Sequence, residues 1–157
     1  MQIKIGDKAP LFELPDTDKK MVKLADCQGK NVVVLFFPAA FTGTCTKEMC
    51  QTRDELAMFN SLNAVVFGIS VDLPFSLNKF KEDQKLNFTL LSDFNKQACT
   101  AYGCMFPEWI AGLKGVAKRA SFVIDKAGIV RFAEVLETAG EYPNFEGIHG
   151  ALQKMSD

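Results

Sequence analysis

Pro38, Thr42 and Cys45 share one stretch, PAAFTGTC, which directly follows the apolar run VVVLFF (32–37) and directly precedes a helix-compatible segment. A cysteine at a strand-to-helix junction sits where unpaired backbone N–H groups and the positive end of the helix dipole favour thiolate over thiol. The thiolate is the nucleophilic form, so the chemistry expected at Cys45 is attack on an electrophile at neutral pH. Thr42 adds a hydroxyl that can donate and accept, while Pro38 stiffens the start of the loop and has no N–H of its own. Together these residues suit a small polar electrophile. Each also has a plainer reading: a cysteine buried as a small core residue, a threonine capping a turn, a proline ending a strand.

The elements that would position this loop follow from periodicity and turn residues. Residues 10–24 hold two short extended pieces around the turn Pro15, Asp16, Thr17, Asp18, and Gly29-Lys30-Asn31 leads into a central strand at 32–37. That strand is apolar on both faces, as is 64–71, which suits strands covered by helices on either side. Residues 121–125 and 129–135 form a hairpin around Lys126-Ala127-Gly128. An imperfect stripe of Met49, Leu56, Ala57 and Phe59 predicts a helix over 46–59, capped by Thr44 or Thr46. Further helices are expected at 74–84, 96–102 and 144–155. Strands alternating with helices, closed by a hairpin, indicate an α/β fold with a central mixed β-sheet flanked by helices.

With 157 residues and no repeat, low-complexity tract or Gly/Ser-rich linker, the chain is expected to form a single domain over 1–157. Nearly half its residues are apolar, with 14 Phe against one Trp and two Tyr, which fits a well-packed α/β core. The net charge of −1 and the scattered lysines leave no electrostatic footprint for nucleic acid or an anionic membrane surface. No apolar run reaches the roughly 18 residues of a membrane span, and MQIKIGDKAP lacks both the basic and the apolar regions of a secretory leader, so a cytoplasmic location is expected. Five cysteines in such a chain point to reactivity or burial rather than to a disulfide framework.

The chain resembles a peroxiredoxin. Pro38, Thr42 and Cys45 match that family's Pro-x-x-x-Thr-x-x-Cys loop, Arg119 in KRASFVID matches its distant arginine, and the match runs from GDKAPLFELPD to about residue 134. CTKEMC resembles the PrxQ (bacterioferritin comigratory protein) branch, whereas AYG through RASFVID and GIVRFAE resembles the AhpE-like one-cysteine branch. The resemblance implies a thioredoxin-like fold and a cofactor-free reaction, in which the Cys45 thiolate attacks the distal oxygen of a hydroperoxide and becomes a sulfenic acid. Donors are needed where charge develops on the departing oxygen, and the N–H groups of Thr44 and Cys45, the Thr42 hydroxyl and Arg119 are the candidates. Arg119 lies in the basic run 114–119, which by itself reads as a solvated face; only the resemblance links it to Cys45, and only the resemblance makes Glu48 the residue that orients it. The implied partners are a peroxide, a thioredoxin- or glutaredoxin-type reductant, and a second copy of the chain meeting it at Phe41, as in AhpE-like relatives.

Cys50 follows Cys45 in a C-x4-C pattern. On a regular helix the two lie about 7.5 Å apart in rise and about 140° apart in rotation, so they face apart and bridge only if the first turn unwinds. The PrxQ-like resemblance implies that step, with Cys50 resolving the sulfenic acid inside one chain. Cys99 and Cys104 repeat the same offset and could serve instead if their segment lies near Cys45; otherwise an external thiol completes a one-cysteine cycle. Cys27 reads as a small residue leading into the strand. Three other classes compete: a zinc module built from the pairs Cys45/Cys50 and Cys99/Cys104, whose spacing is wider than usual for zinc, a thiol-disulfide oxidoreductase, and a cysteine hydrolase, whose base would be the sole histidine, His149. A thiol-disulfide oxidoreductase would use C-x-x-C, which is absent, and His149 reads as a surface or capping residue.

Overall fold

The run at 31–36 is buried at every position, and it becomes the central strand of a five-stranded sheet. In the computed structural model, which describes residues 2–156, a small antiparallel pair comes first: β1 (Glu13–Pro15) and β2 (Met21–Lys23). Asp16 closes their turn by accepting the backbone N–H groups of Asp18 and Lys20 on Oδ1. β3 (Asn31–Phe36) leads through the candidate loop into α1 (Gly43–Asp54), followed by α2 (Leu56–Ser61), β4 (Ala64–Ser70), α3 (Pro74–Gln84), β5 (Thr89–Ser92) and α4 (Gln97–Ala101). β6 (Ala120–Ile124), β7 (Val130–Val135) and α5 (Phe145–Ser156) complete the order. The sheet runs β5-β4-β3-β6-β7, with β3, β4 and β5 parallel and β6 and β7 antiparallel to their neighbours.

Alternation along β3 divides the core in two. Val32, Val34 and Phe36 face one side, where Phe67, Ile69, Phe122, Tyr102, Cys99 and Cys104 pack. Val33, Leu35 and Phe37 face the other, beneath Cys45, Met49, Phe59, Phe80, Ile148 and Leu152 from α1, α2, α3 and α5. Period-two side-chain direction is sufficient to send adjacent residues into separate cores. α1 approaches β4 closely because Gly68 has no side chain: a Cβ there would lie 2.8 Å from Leu90 and 3.1 Å from the Met49 sulfur. In the β6/β7 turn, Gly128 takes φ +85°, and Asp125 Oδ1 accepts the N–H groups of Ala127 and Ile129. No helix among the described residues is long and apolar enough to cross a membrane.

The mixed sheet, the two extended pieces, the hairpin and the helices at 74–84 and near the C-terminus stand as read from the sequence. Three features differ. The helix expected over 46–59 begins earlier, at Gly43, and breaks at Glu55 (φ −102°, ψ 8°), whose carboxylate turns to His149 Nε2 at 2.8 Å. Thr42, not Thr44 or Thr46, occupies the N-cap position. A strand at Thr89–Ser92 was not expected; its four residues are too few to show a period, and pairing with β4 makes them a strand.

Candidate active site

Phe41 is the hinge between strand and helix. Its φ of +69° is left-handed, a conformation that costs a non-glycine residue roughly 1 kcal/mol and turns the chain out of β3 into α1. Two contacts offset that cost. The Phe41 ring meets Phe80 edge-on at 5.1 Å, and the Ala40 N–H donates to Asp72 Oδ2 at 2.8 Å. Asp72 is itself held, since the same oxygen accepts from the Ser70 hydroxyl at 2.6 Å, and its carbonyl accepts from Ser92 at 2.6 Å. The end of β4 thus fixes the loop laterally, a tie with no signal in the local sequence.

The first intrahelical bond of α1 runs from the Thr46 N–H to the Thr42 carbonyl at 2.9 Å. The N–H groups of Gly43, Thr44 and Cys45 precede it and have no acceptor within the helix, and the first turn carries no acidic side chain. Thr42 does not cap them with its side chain; its hydroxyl donates to the Ala39 carbonyl at 2.7 Å, leaving the oxygen lone pairs to accept. Pro38 is buried at the end of β3. Cys45 lies in the first turn, 1% exposed.

Arg119, which the basic run 114–119 would place on a solvated face, is 1% exposed. It stands immediately before β6 and reaches across to α1, where one Nη lies 3.4 Å from Cys45 Sγ and the other donates to Glu48 Oε1 at 2.7 Å. Two further donors go to the carbonyls of Ala139, at 2.9 Å, and Glu141, at 3.1 Å. The rigid fork therefore serves four acceptors at once, an arrangement suited to guanidinium and not to ammonium. Glu48 is fully buried and its second oxygen, Oε2, has no hydrogen-bond partner among the described residues. Burial pushes its carboxyl up to about 7, although Arg119 pulls the other way.

The other cysteines separate by sheet face. Cys50 is on α1, the Cys45 side, partly buried with Sγ 3.4 Å from Gln84 Oε1. Cys99 and Cys104 are completely buried across the sheet, with burial as the first cause of thiols raised well above the ordinary range, Cys99 to about 12. Cys27 packs against that same opposite core. β3 thus stands between Cys45 and three of its four possible partners. Among the described residues no group of three or more His, Cys, Asp or Glu side chains is placed to hold a metal ion, since the two cysteine pairs do not converge. His149 is mostly buried and its Nε2 bonds Glu55 rather than Cys45; its ring meets Phe59 in a tilted contact at 4.9 Å, joining α5 to the α1–α2 break. Met105, Phe106 and Trp109 lie beyond α4, with Phe106 buried and Met105 bridged to Ala117.

A family model described as the AhpC/TSA family matches residues 5–133. The chain is 42% identical to peroxiredoxin Bcp of Escherichia coli over 128 residues, covering 80% of this chain and 81% of that one. Among solved structures, peroxidoxin BcpB of Mycobacterium tuberculosis superposes with a TM-score of 0.86 at 30% identity, covering 98% of this chain and 99% of its own. A peroxiredoxin-like protein from Aquifex aeolicus gives a TM-score of 0.89 at 27% identity, covering 99% of this chain and 89% of its own.

Proposed function

Since this chain belongs to the AhpC/TSA family of peroxiredoxins, which are thiol peroxidases of thioredoxin-like fold, we propose that Cys45 is the residue that peroxide oxidises and that Cys50 resolves it. One observation carries the assignment: the Arg119 guanidinium lies 3.4 Å from Cys45 Sγ, and both side chains are buried. A permanent cation at that distance stabilises negative charge both on the attacking sulfur and on oxygen approaching it. The thiolate attacks the distal oxygen, the O–O bond breaks, and the electron pair leaves on the proximal oxygen as alkoxide or hydroxide, which takes a proton. Water or an alcohol departs and Cys45 becomes a sulfenic acid. The free N–H groups of Thr44 and Cys45 stabilise the departing charge together with Arg119. Thr42, its proton committed to Ala39, accepts from the peroxide O–H and orients it. Glu48 orients Arg119, and Pro38 excludes water at the end of β3.

Resolution by Cys50 is supported by its place on the Cys45 side of the sheet, where Cys99, Cys104 and Cys27 are not. The disulfide would then be reduced by a thioredoxin- or glutaredoxin-type dithiol. The protein acts as a single domain, in the cytoplasm, and its second copy docks at Phe41, which is 53% exposed. The test is one equivalent of hydrogen peroxide added to reduced Cys45→Ser and Cys50→Ser variants, with stopped-flow kinetics and mass spectrometry of the products. Cys45→Ser is expected to lose turnover entirely, whereas Cys50→Ser reacts at the parental rate and accumulates sulfenic acid. Unchanged turnover in the first variant overturns the assignment of Cys45; the parental intramolecular disulfide in the second overturns that of Cys50.

A further inference from the structure

The resolving step just proposed is Cys45–SOH plus HS–Cys50 giving Cys45–S–S–Cys50 and water, and it cannot occur on the helix as it stands. Five residues of α-helix separate the two Cα atoms by about 8.6 Å, from about 7.5 Å of rise and about 140° of rotation, whereas a disulfide spans at most about 7 Å. The stretch of α1 between the cysteines has to unwind. What resists that unwinding is visible in the connection between β7 and α5. Residues 139–142 lie along α1, anchored at one end because the Ala139 and Glu141 carbonyls hold Arg119. At the other end Tyr142 bears on the helix itself: its hydroxyl lies 3.2 Å from the Lys47 carbonyl and 2.5 Å from Gln51 Oε1.

Those two partners bracket Cys50 on its own helix, with Lys47 inside the stretch that must open and Gln51 just beyond it. The Lys47 ammonium lies over the Tyr142 ring at 4.8 Å, and the ring packs on buried Phe145 at 5.7 Å, so the phenol is seated rather than free to follow the helix. Burial, then the Glu48 and Glu55 carboxylates, pushes the hydroxyl up to about 12, so it keeps its proton to donate at working pH. We infer that Tyr142 is a positioning residue that latches the Cys45–Cys50 segment of α1, setting how fast oxidised Cys45 reaches Cys50 and hence how much of it a second peroxide carries to sulfinic acid. This inference rests on the assignment of Cys50 as the resolving thiol. Phe41 and Asp72 hold the loop before Cys45; Tyr142 holds the helix after it, so the peroxide-reacting geometry and the opening step are under separate control.

Tyr142→Phe keeps the ring and removes the hydroxyl. Losing one neutral hydrogen bond to the closed state is expected to speed opening about fivefold. Amide exchange over residues 46–51 of the reduced protein should therefore rise about fivefold, disulfide formation after one equivalent of hydrogen peroxide should rise by the same factor, and the peroxide concentration needed for half-conversion to sulfinic acid should rise with it. The bimolecular oxidation of Cys45 should stay within twofold of the parent, a split that general loosening of the fold would not produce. Gln51→Ala, which removes one of the two partners, should move the same readouts in the same direction. Exchange and disulfide rates unchanged or slowed in Tyr142→Phe overturn the latch. If the parent itself makes no Cys45–Cys50 disulfide, the assignment of Cys50 is what fails, and the exchange measurement still decides whether Tyr142 restrains α1.

Discussion

Replacing Arg119 by lysine keeps the charge and removes the fork, which separates two explanations of the site. The guanidinium spans four acceptors, Cys45 Sγ at 3.4 Å, Glu48 Oε1 at 2.7 Å and the carbonyls of Ala139 and Glu141 at 2.9 and 3.1 Å. A lysine brings one nitrogen to that volume and cannot reach all four. Glu48, buried with one oxygen lacking a hydrogen-bond partner among the described residues, draws the ammonium to itself and away from the sulfur. Losing one fixed donor to a developing oxyanion costs about 2.7–4 kcal/mol, a factor of 10²–10³ in rate. Retaining the charge places Arg119→Lys at the low end, about 10²-fold slower in the bimolecular oxidation of Cys45. The carbonyls of Ala139 and Glu141, both bonds partly shielded from solvent, also lose their donor, which should lower stability by about 1 kcal/mol. Single-turnover stopped-flow with hydrogen peroxide reads the first quantity and the urea midpoint the second. A lysine variant within threefold of the parental rate would show that charge alone is sufficient and that the fork geometry is irrelevant.

Glu48 makes a pH prediction of unusual sign. Burial raises its carboxyl from the ordinary 4.5 to about 7, so the folded state binds this proton more tightly than the unfolded chain does between those limits. Its contribution to stability is therefore present at low pH, falls as pH rises from about 4.5 to about 7 by at most about 1.4 kcal/mol per unit, and is constant above. Urea midpoints of Glu48→Gln relative to the parent should climb across that window, and parallel curves would refute the shift. Asp72→Ala removes the acceptor of both the Ala40 N–H and the Ser70 hydroxyl, and is expected to slow Cys45 oxidation about tenfold and lower stability by about 2 kcal/mol. Asp72→Asn can present an oxygen at the same point, so it should recover most of the rate; equal loss in both variants would mean the loop is not held by that bond.

The residues of the candidate loop are adjacent in the chain, and so is the physics that singles them out. Orphan N–H groups and the helix dipole belong to any strand-to-helix turn, so Cys45 is marked by fewer than ten residues of context, as are the buried central strand and the hairpin at Gly128. The helix expected over 46–59 differs from the observed one at both ends because its boundaries are set from outside: Thr42 becomes the N-cap once Phe41 turns the chain, and Glu55 leaves the helix to meet His149, 94 residues away. Arg119 comes to Cys45 across 74 positions of sequence, and no spacing rule connects them without the family resemblance. The sequence alone thus determined the local setting of Cys45 and the sheet's apolar strands, because both rest on interactions between near neighbours. Which cation meets the sulfur, which cysteine shares its face of the sheet, and which tyrosine rests on its helix are relations between segments distant in the chain. They exist only after β3, β6 and α1 have packed, since burial and direction are properties of the assembled layers and not of any one of them.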